Sequence, residues 1–332
     1  MDKSAVLADW ISPSTNPVTS IEHFAPSNIA LCKYWGKRNK QLNLPMNASL
    51  SVSLGHLGTH TRIVPIDYCA DEVWLNGEQL LPSAPFCQRV SSFLDLFRQP
   101  GSCYFRVTTR NSIPTAAGLA SSASGFAALS KAVNDSFELN LTDEQLSVIA
   151  RLGSGSACRS IFNGFVEWQM GQRADGLDSH GVSVEQCWPG LCVGLVKVDA
   201  SAKSIDSRSG MQRTVDTAHL YQSWPIQAAH DLVKLKQAIA EQDFTLLGQT
   251  AEHNALSMHA TMIASWPPLV YWQPESLATM QRIWKLRQEG LNCYFTMDAG
   301  PNLKLLFLND ELEALMRYFP EMEVIQPFGN GR

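Results

Sequence analysis

Pro114-Thr115-Ala116-Ala117-Gly118-Leu119-Ala120-Ser121-Ser122-Ala123 is the stretch on which the reading of this 332-residue chain turns. Small residues let a backbone come close to a ligand. A helix starting behind them offers unpaired N–H groups and the positive end of its dipole. Phe126, Ala127, Leu129 and Val133 fall on one face at helical spacing, which predicts a helix over 123–134. Ser121 and Ser122 add hydroxyls able to donate to phosphate oxygens or to ligate Mg²⁺. The segment fits neither G-x-x-x-x-G-K-[ST] nor G-x-G-x-x-G, and by itself it reads as readily as close packing at a helix start.

Working outward, Leu50-Ser51-Val52-Ser53-Leu54 alternates as a half-buried strand does, and Phe105–Thr109 is a second strand stopped by Pro114. Thr142-Asp143-Glu144-Gln145 is a capping box for a helix carrying Leu146, Ile149 and Ala150. That helix ends at Gly153-Ser154-Gly155-Ser156, a second potential anion nest, followed by a short helix over 157–161 with Arg159 inside it. A strand is expected over 164–168, and residues 1–22 read as a loosely ordered lead-in or edge segment. Beyond Pro189 come a strand at 191–198, helices around 226–241, 244–258 and 276–288, and strands at 292–297 and 303–308 joined by the tight turn Asp298-Ala299-Gly300-Pro301-Asn302. The pattern is α+β in two lobes, residues 1–189 and 190–332.

Composition narrows the partners. With 45% hydrophobic and 17% charged residues the chain is globular, not disordered or fibrous. Its 26 basic and 31 acidic residues leave a net charge of −5, which argues against nucleic acid as the main ligand. The eight cysteines form no C-x-x-C pair and read as reduced, small core residues. No basic, then apolar leader and no 18-residue apolar run is seen, so the expectation is a cytoplasmic chain without a membrane span. His253 and His259, six apart on a helix, face different ways and make a poor metal pair, and Trp266-Pro267-Pro268 marks a packed turn.

Pro-x3-Gly-Leu-x-Ser-Ser-Ala resembles the phosphate-loop motif of the GHMP kinase superfamily. Further blocks resemble one branch of it: Ala25–Arg38 with its Lys33-Tyr34-Trp35-Gly36-Lys37, Leu44–Val52, Gly153–Ser160, Ser207–Met211 and Met297–Asn302. Their order and span identify the chain as similar to the diphosphomevalonate decarboxylases. The resemblance implies the two-lobed GHMP kinase fold, with a ribosomal-protein-like N-terminal lobe and a ferredoxin-like C-terminal lobe. It also implies ATP-dependent decarboxylation of (R)-5-diphosphomevalonate, ATP with Mg²⁺, and a homodimer.

By the same resemblance, Pro114, Ala117, Gly118, Leu119, Ala120, Ser121 and Ser122 take ATP, with Ser121 near the metal. Tyr34, Trp35, Gly36, Lys37, Ser154, Gly155, Ser156, Ala157, Cys158, Arg159, Ser207 and Arg208 take the substrate, Arg159 on its carboxylate. Asp298 acts on the 3-hydroxyl beside Lys33. Read as an extended segment, residues 33–37 put Lys33, Trp35 and Lys37 on one face and Tyr34 on the other. Leu54-Gly55-His56, Glu72 and Asp206 depart from the family pattern, and either of the two carboxylates would repel a diphosphate if it pointed inward. The alternatives are a 5-phosphomevalonate decarboxylase, a kinase stopping at the 3-phosphorylated product, or a non-catalytic binding protein on the same fold.

Overall fold

The computed structural model describes residues 2–11, 16–113, 121–198 and 205–329. The first lobe is organised on one long strand. Helix α1 (Lys3–Leu7) leads to β1 (His23–Cys32), the hairpin β2 (Lys37–Asn39) and β3 (Leu44–Pro45), and then β4 (Ser49–Ile66). At 18 residues β4 is long enough to run antiparallel to all of β1 while pairing with two further strands on its other side. These elements are followed by β5 (Glu72–Leu75), β6 (Glu78–Gln79), α2 (Pro85–Leu94), β7 (Tyr104–Asn111), α3 (Ser121–Ser136), α4 (Asp143–Gly153), a 3₁₀ turn (Gly155–Ile161), β8 (Phe165–Trp168) and β9 (Gly181–Val184). The sheet order is β6-β5-β7-β4-β8-β9, with β1 alongside β4.

One face of that sheet, including Ile63, Val73, Phe105 and Val107, packs under Phe126, Leu129 and Val133 of α3 and Leu146 and Ile149 of α4. Each such side chain contributes about 1.5–3 kcal/mol on full burial, and this fixes α3 and α4 across the sheet. The capping box at Thr142 is formed in both directions, Thr142 side chain to the Gln145 N–H and Gln145 side chain to the Thr142 N–H. The lead-in expectation fails at α1, where Val6 and Leu7 are buried in this same core.

The second lobe runs β10 (Leu191–Val196), α5 (Ser207–Thr217), α6 (Trp224–Glu241), α7 (Phe244–Ile263), α8 (Pro274–Gln288), β11 (Cys293–Thr296), β12 (Leu303–Leu308), α9 (Leu312–Tyr318) and β13 (Glu323–Ile325). Its four-stranded antiparallel sheet has the order β11-β12-β10-β13. Met280, Ile283 and Leu286 of α8 cover Phe295, Leu305 and Phe307. A third apolar cluster joins the lobes: Ile29, Leu31, Leu50 and Val52 pack with Leu191, Val193, Leu235, Leu247 and Met258. The C-terminal end of β1 is therefore pressed against α6 and α7, which decides where the residues after Cys32 must go.

Trp266 is largely exposed, contrary to a packed turn; the turn is held through the Trp266 N–H, which donates to Thr217 Oγ1 at 2.8 Å, and through Ser265 Oγ, which donates to the Pro267 carbonyl at 3.2 Å. Cys32, Cys87, Cys158, Cys192 and Cys293 are free and buried. No helix among the described residues is long and apolar enough to cross a membrane.

Candidate active site

Strand β1 stops at Cys32 because Lys33 is captured on both sides of its peptide unit. Its N–H donates to Asn254 Oδ1 of α7 at 2.7 Å, and its carbonyl accepts from Asn47 Nδ2 at 2.8 Å. The side chain is almost wholly buried, and Nζ donates to the Ala30 carbonyl at 2.7 Å and to Asp298 Oδ1 at 2.8 Å. The expected alternation along 33–37 is not kept. Lys33, Tyr34, Trp35 and Lys37 all line one cavity of about 170 Å³. The backbone turns at Gly36, whose φ of +105° favours glycine, and an added Cβ there would overlap the Tyr221 hydroxyl. That hydroxyl donates to the Trp35 carbonyl at 3.0 Å, alongside Trp224 Nε1 at 3.1 Å.

Asp298 enters the cavity from the turn between β11 and β12. Its carbonyl accepts from the Gly300 N–H at 2.8 Å and lies 3.1 Å from Nε2 of the buried His259. Burial pushes His259 down to about 3, so the imidazole is neutral and Nε2–H donates. A second ammonium, Lys304 Nζ, stands 3.8 Å from Asp298 Oδ2. Burial pulls Lys33 and Lys304 below the ordinary lysine range, while Asp298 pulls both back up. The centre is thus one carboxylate held between two dehydrated ammonium groups, with a third of the Asp298 side chain (33%) still open.

Opposite lies the turn that follows α4. Ser154, Gly155, Ser156 and Arg159 line the cavity, whereas Ala157 and Cys158 are fully buried on the other side of the 3₁₀ turn. Only one face of so tight a turn can look at a ligand. Arg159 Nε donates to Asn28 Oδ1 at 3.2 Å and Nη1 to Ser49 Oγ at 2.5 Å, both neutral oxygens. Burial, opposed by Cys158 and Asp298, lowers the affinity of this guanidinium for its proton. Tyr34 packs against Trp168 with ring centroids 4.6 Å apart and planes tilted by 58°, and Tyr34 Oη and Trp35 Nε1 are buried without a hydrogen-bond partner among the described residues. Two orphaned donors beside a cavity mark a place where a polar guest belongs.

Ser207 and Arg208 also line the cavity, from the first turn of α5. Asp206 does not face inward to repel an anion. It caps α5, accepting from the N–H groups of Arg208 at 2.9 Å and Ser209 at 3.2 Å. Glu72 is bound by Arg106 Nε at 2.7 Å and is likewise outside both cavities. Ser122 lines the reactive cavity, 3.5 Å from Ser154 Oγ, and Ser121 is exposed beside it at the start of α3. Pro114, Ala117, Gly118, Leu119 and Ala120 lie outside the described residues. Lys37 and Arg208 continue the wall into a wider cleft of about 1090 Å³. Lys37, which donates to Asn43 Oδ1 at 2.7 Å, is pushed down to about 8 by burial and by its neighbours Arg208, Lys3 and Arg89.

The sequence alone gives Lys304, Asn28 and Asn254 no role, and it offers His259 only as a poor metal partner for His253. Lys304 carried a signal, a lone cation inside the apolar run Leu303–Leu308. The other three come from strands and helices whose partners only the tertiary fold supplies. His253 is exposed where His259 is buried, as the spacing required.

Two lobes, a small-residue helix start and a basic seam between them define a GHMP kinase fold. A family profile described as the diphosphomevalonate decarboxylase-like N-terminal domain matches residues 25–181, and the mevalonate 5-diphosphate decarboxylase C-terminal domain matches 193–328. This chain belongs to the diphosphomevalonate decarboxylase family. The Aspergillus fumigatus diphosphomevalonate decarboxylase mvd1 is 38% identical over 312 residues, 88% of this chain and 77% of that protein. The mevalonate diphosphate decarboxylase from Enterococcus faecalis, in a study of mevalonate-diphosphate-mediated ATP binding, superposes with a TM-score of 0.84 at 40% identity, covering 92% of this chain and 96% of that one. A structure of MDDEF in complex with MVAPP, AMPPCP and magnesium gives a TM-score of 0.86, also at 40% identity, with the same coverage of 92% and 96%.

Proposed function

We propose that this chain converts (R)-5-diphosphomevalonate and ATP into isopentenyl diphosphate, ADP, phosphate and CO₂. The observation that carries the assignment is the Asp298 carboxylate held by Lys33 at 2.8 Å and Lys304 at 3.8 Å, across a small cavity from Arg159. A substrate with an anion at each end suits that layout. Its carboxylate fits Arg159, whose planar fork accepts two oxygens at once, and Ser154 and Ser156 stand beside it. Its 3-hydroxyl falls at Asp298, and its diphosphate points toward Lys37, Ser207 and Arg208. Tyr34 and Trp35 supply the donors left unmatched among the described residues.

The sequence of bonds follows from leaving-group chemistry. Hydroxide leaves poorly, so Asp298 takes the 3-hydroxyl proton while that oxygen bonds to the γ-phosphorus and the bond to ADP breaks. The phosphorylated oxygen then departs with its electron pair as phosphate. The C–C bond to the carboxylate breaks, and its electrons form the new double bond as CO₂ leaves. Lys33 holds Asp298 at the hydroxyl, and the cations of the seam stabilise charge as it moves. ATP suits the start of α3 at Ser121 and Ser122, and Mg²⁺ bound with it would neutralise triphosphate charge.

A cytoplasmic location, a homodimer and a lobe boundary near Pro189 belong to the same reading. The test is a coupled assay of ADP and CO₂ on purified protein with Mg-ATP and either the diphosphorylated or the monophosphorylated substrate. Equal release of ADP and CO₂ with the diphosphate supports the proposal. ADP without CO₂ leaves a kinase, and preference for the monophosphate reassigns the substrate.

A further inference from the structure

Among the described residues, the wide cleft beyond Lys37 and Arg208 is lined by six cationic side chains, Lys3, Lys37, Lys40, Arg89, Arg208 and Arg213, against one carboxylate, Asp216. Such a concentration of like charge on a chain of net charge −5 calls for an anionic guest. Four of the six feel one another directly: Arg208 and Arg89 lower Lys3, and Arg208, Lys3 and Arg89 lower Lys37. Arg89 Nε is buried with no hydrogen-bond partner among the described residues. A donor orphaned inside a cationic wall is what remains when the acceptor is a ligand.

Lys3 stands apart from the rest by origin. It sits on α1, ahead of the region from residue 25 onward that matches the family profile. Asp2 caps that helix, Val6 and Leu7 anchor it in the core, and Lys3 Nζ reaches the Leu152 carbonyl at the end of α4 at 2.8 Å. The ammonium is thus fixed at the cleft wall, with donor capacity beyond that single carbonyl.

We propose that Lys3 is a specificity residue: it closes the outer wall of the cleft and binds the terminal phosphate of a diphosphorylated substrate. The inference rests on the functional reading above and assigns the phosphate nearer the reacting carbon chain to Lys37 and Arg208. A monophosphorylated substrate ends before Lys3, so only the diphosphate gains from it. ATP approaches from the Ser122 side of the reactive cavity, leaving this cleft to the substrate's far end.

The experiment compares the unaltered chain with Lys3→Ala and Lys3→Arg. It measures kcat and KM for 5-diphosphomevalonate, 5-phosphomevalonate and ATP, and inhibition by inorganic pyrophosphate and inorganic phosphate. Loss of one charge-assisted phosphate contact should raise KM for the diphosphate and the inhibition constant for pyrophosphate about tenfold. For Lys3→Ala, kcat should change less than about twofold, KM for ATP and inhibition by phosphate should hold, and Lys3→Arg should restore the diphosphate KM. Unchanged constants overturn the proposal, as does an equal loss for mono- and diphosphate or a rise confined to ATP. If the unaltered chain fails to turn over the diphosphate yet pyrophosphate binding still depends on Lys3, the activity assignment falls while the phosphate site stands.

Discussion

Arg159 offers a perturbation whose effects on stability and on activity should have opposite signs. Its guanidinium is buried and hydrogen-bonds two neutral oxygens, Asn28 Oδ1 at 3.2 Å and Ser49 Oγ at 2.5 Å. Dehydrating such an ion costs several kcal/mol, and two charge-assisted hydrogen bonds return about 1.5–3 kcal/mol each. The two terms nearly cancel in the free protein, so Arg159→Met should leave its melting temperature unchanged or slightly higher. Catalysis should respond in the other direction. A bidentate carboxylate contact of two such bonds is worth about 3–6 kcal/mol, which is about 10²–10⁴ in kcat/KM. Arg159→Lys keeps the charge and loses the fork, so its loss should be about 10–100-fold. The assays are a thermal melt of free protein and steady-state ADP release with the diphosphorylated substrate. A kcat/KM for Arg159→Met within about fivefold of the unaltered chain would refute the carboxylate assignment. A melting temperature lowered by 10 °C or more would show that Arg159 is chiefly structural.

Two further outcomes follow from the geometry. Lys37 at about 8 is charged below that pH and neutral above it, so kcat/KM should fall as pH rises through about 8. Lys37→Arg, which stays protonated, should move that limb upward, and an unmoved limb would assign it to another group. Gly36→Ala must place a Cβ at φ +105° and against Tyr221, costing roughly 2–5 kcal/mol; a melt unchanged within 1 °C would contradict the close approach described for this turn.

What the sequence could disclose follows physical lines. Thr142-Asp143-Glu144-Gln145 and the apolar repeat after Ala123 act through neighbours three or four residues away, so α3 and α4 were legible within two residues at each end. The alternation at Leu50–Leu54 showed a strand but not that β4 continues to Ile66, because the stretch from His56 to Arg62 is mixed in polarity and its later part is held by pairing with β1 and β7. Helix α1 was invisible because five residues give no reliable period, and its anchor is a core whose members run from Ile11 to Ile161. At the site, the blocks around Lys33, Arg159 and Asp298 were named from the sequence, and the fold brings all three to one cavity. The alternation along 33–37 misled because Asn254 and Asn47 seize the Lys33 peptide unit, contacts 221 and 14 residues distant in sequence. Lys304 and His259 reach Asp298 only through the β11–β12 turn and α7.

Single-turnover ADP formation by Asp298→Asn tests most directly whether Asp298 acts on the hydroxyl while Lys33 holds it in place. Asn keeps the size and an oxygen for Lys33 but cannot take a proton. With saturating diphosphomevalonate and Mg-ATP, the rate of ADP formation should fall about 10²–10⁴-fold, the range expected on removing a positioned acid–base group, while substrate still binds. A single-turnover rate within about threefold of the unaltered chain, in a protein that binds substrate and melts normally, would contradict the account.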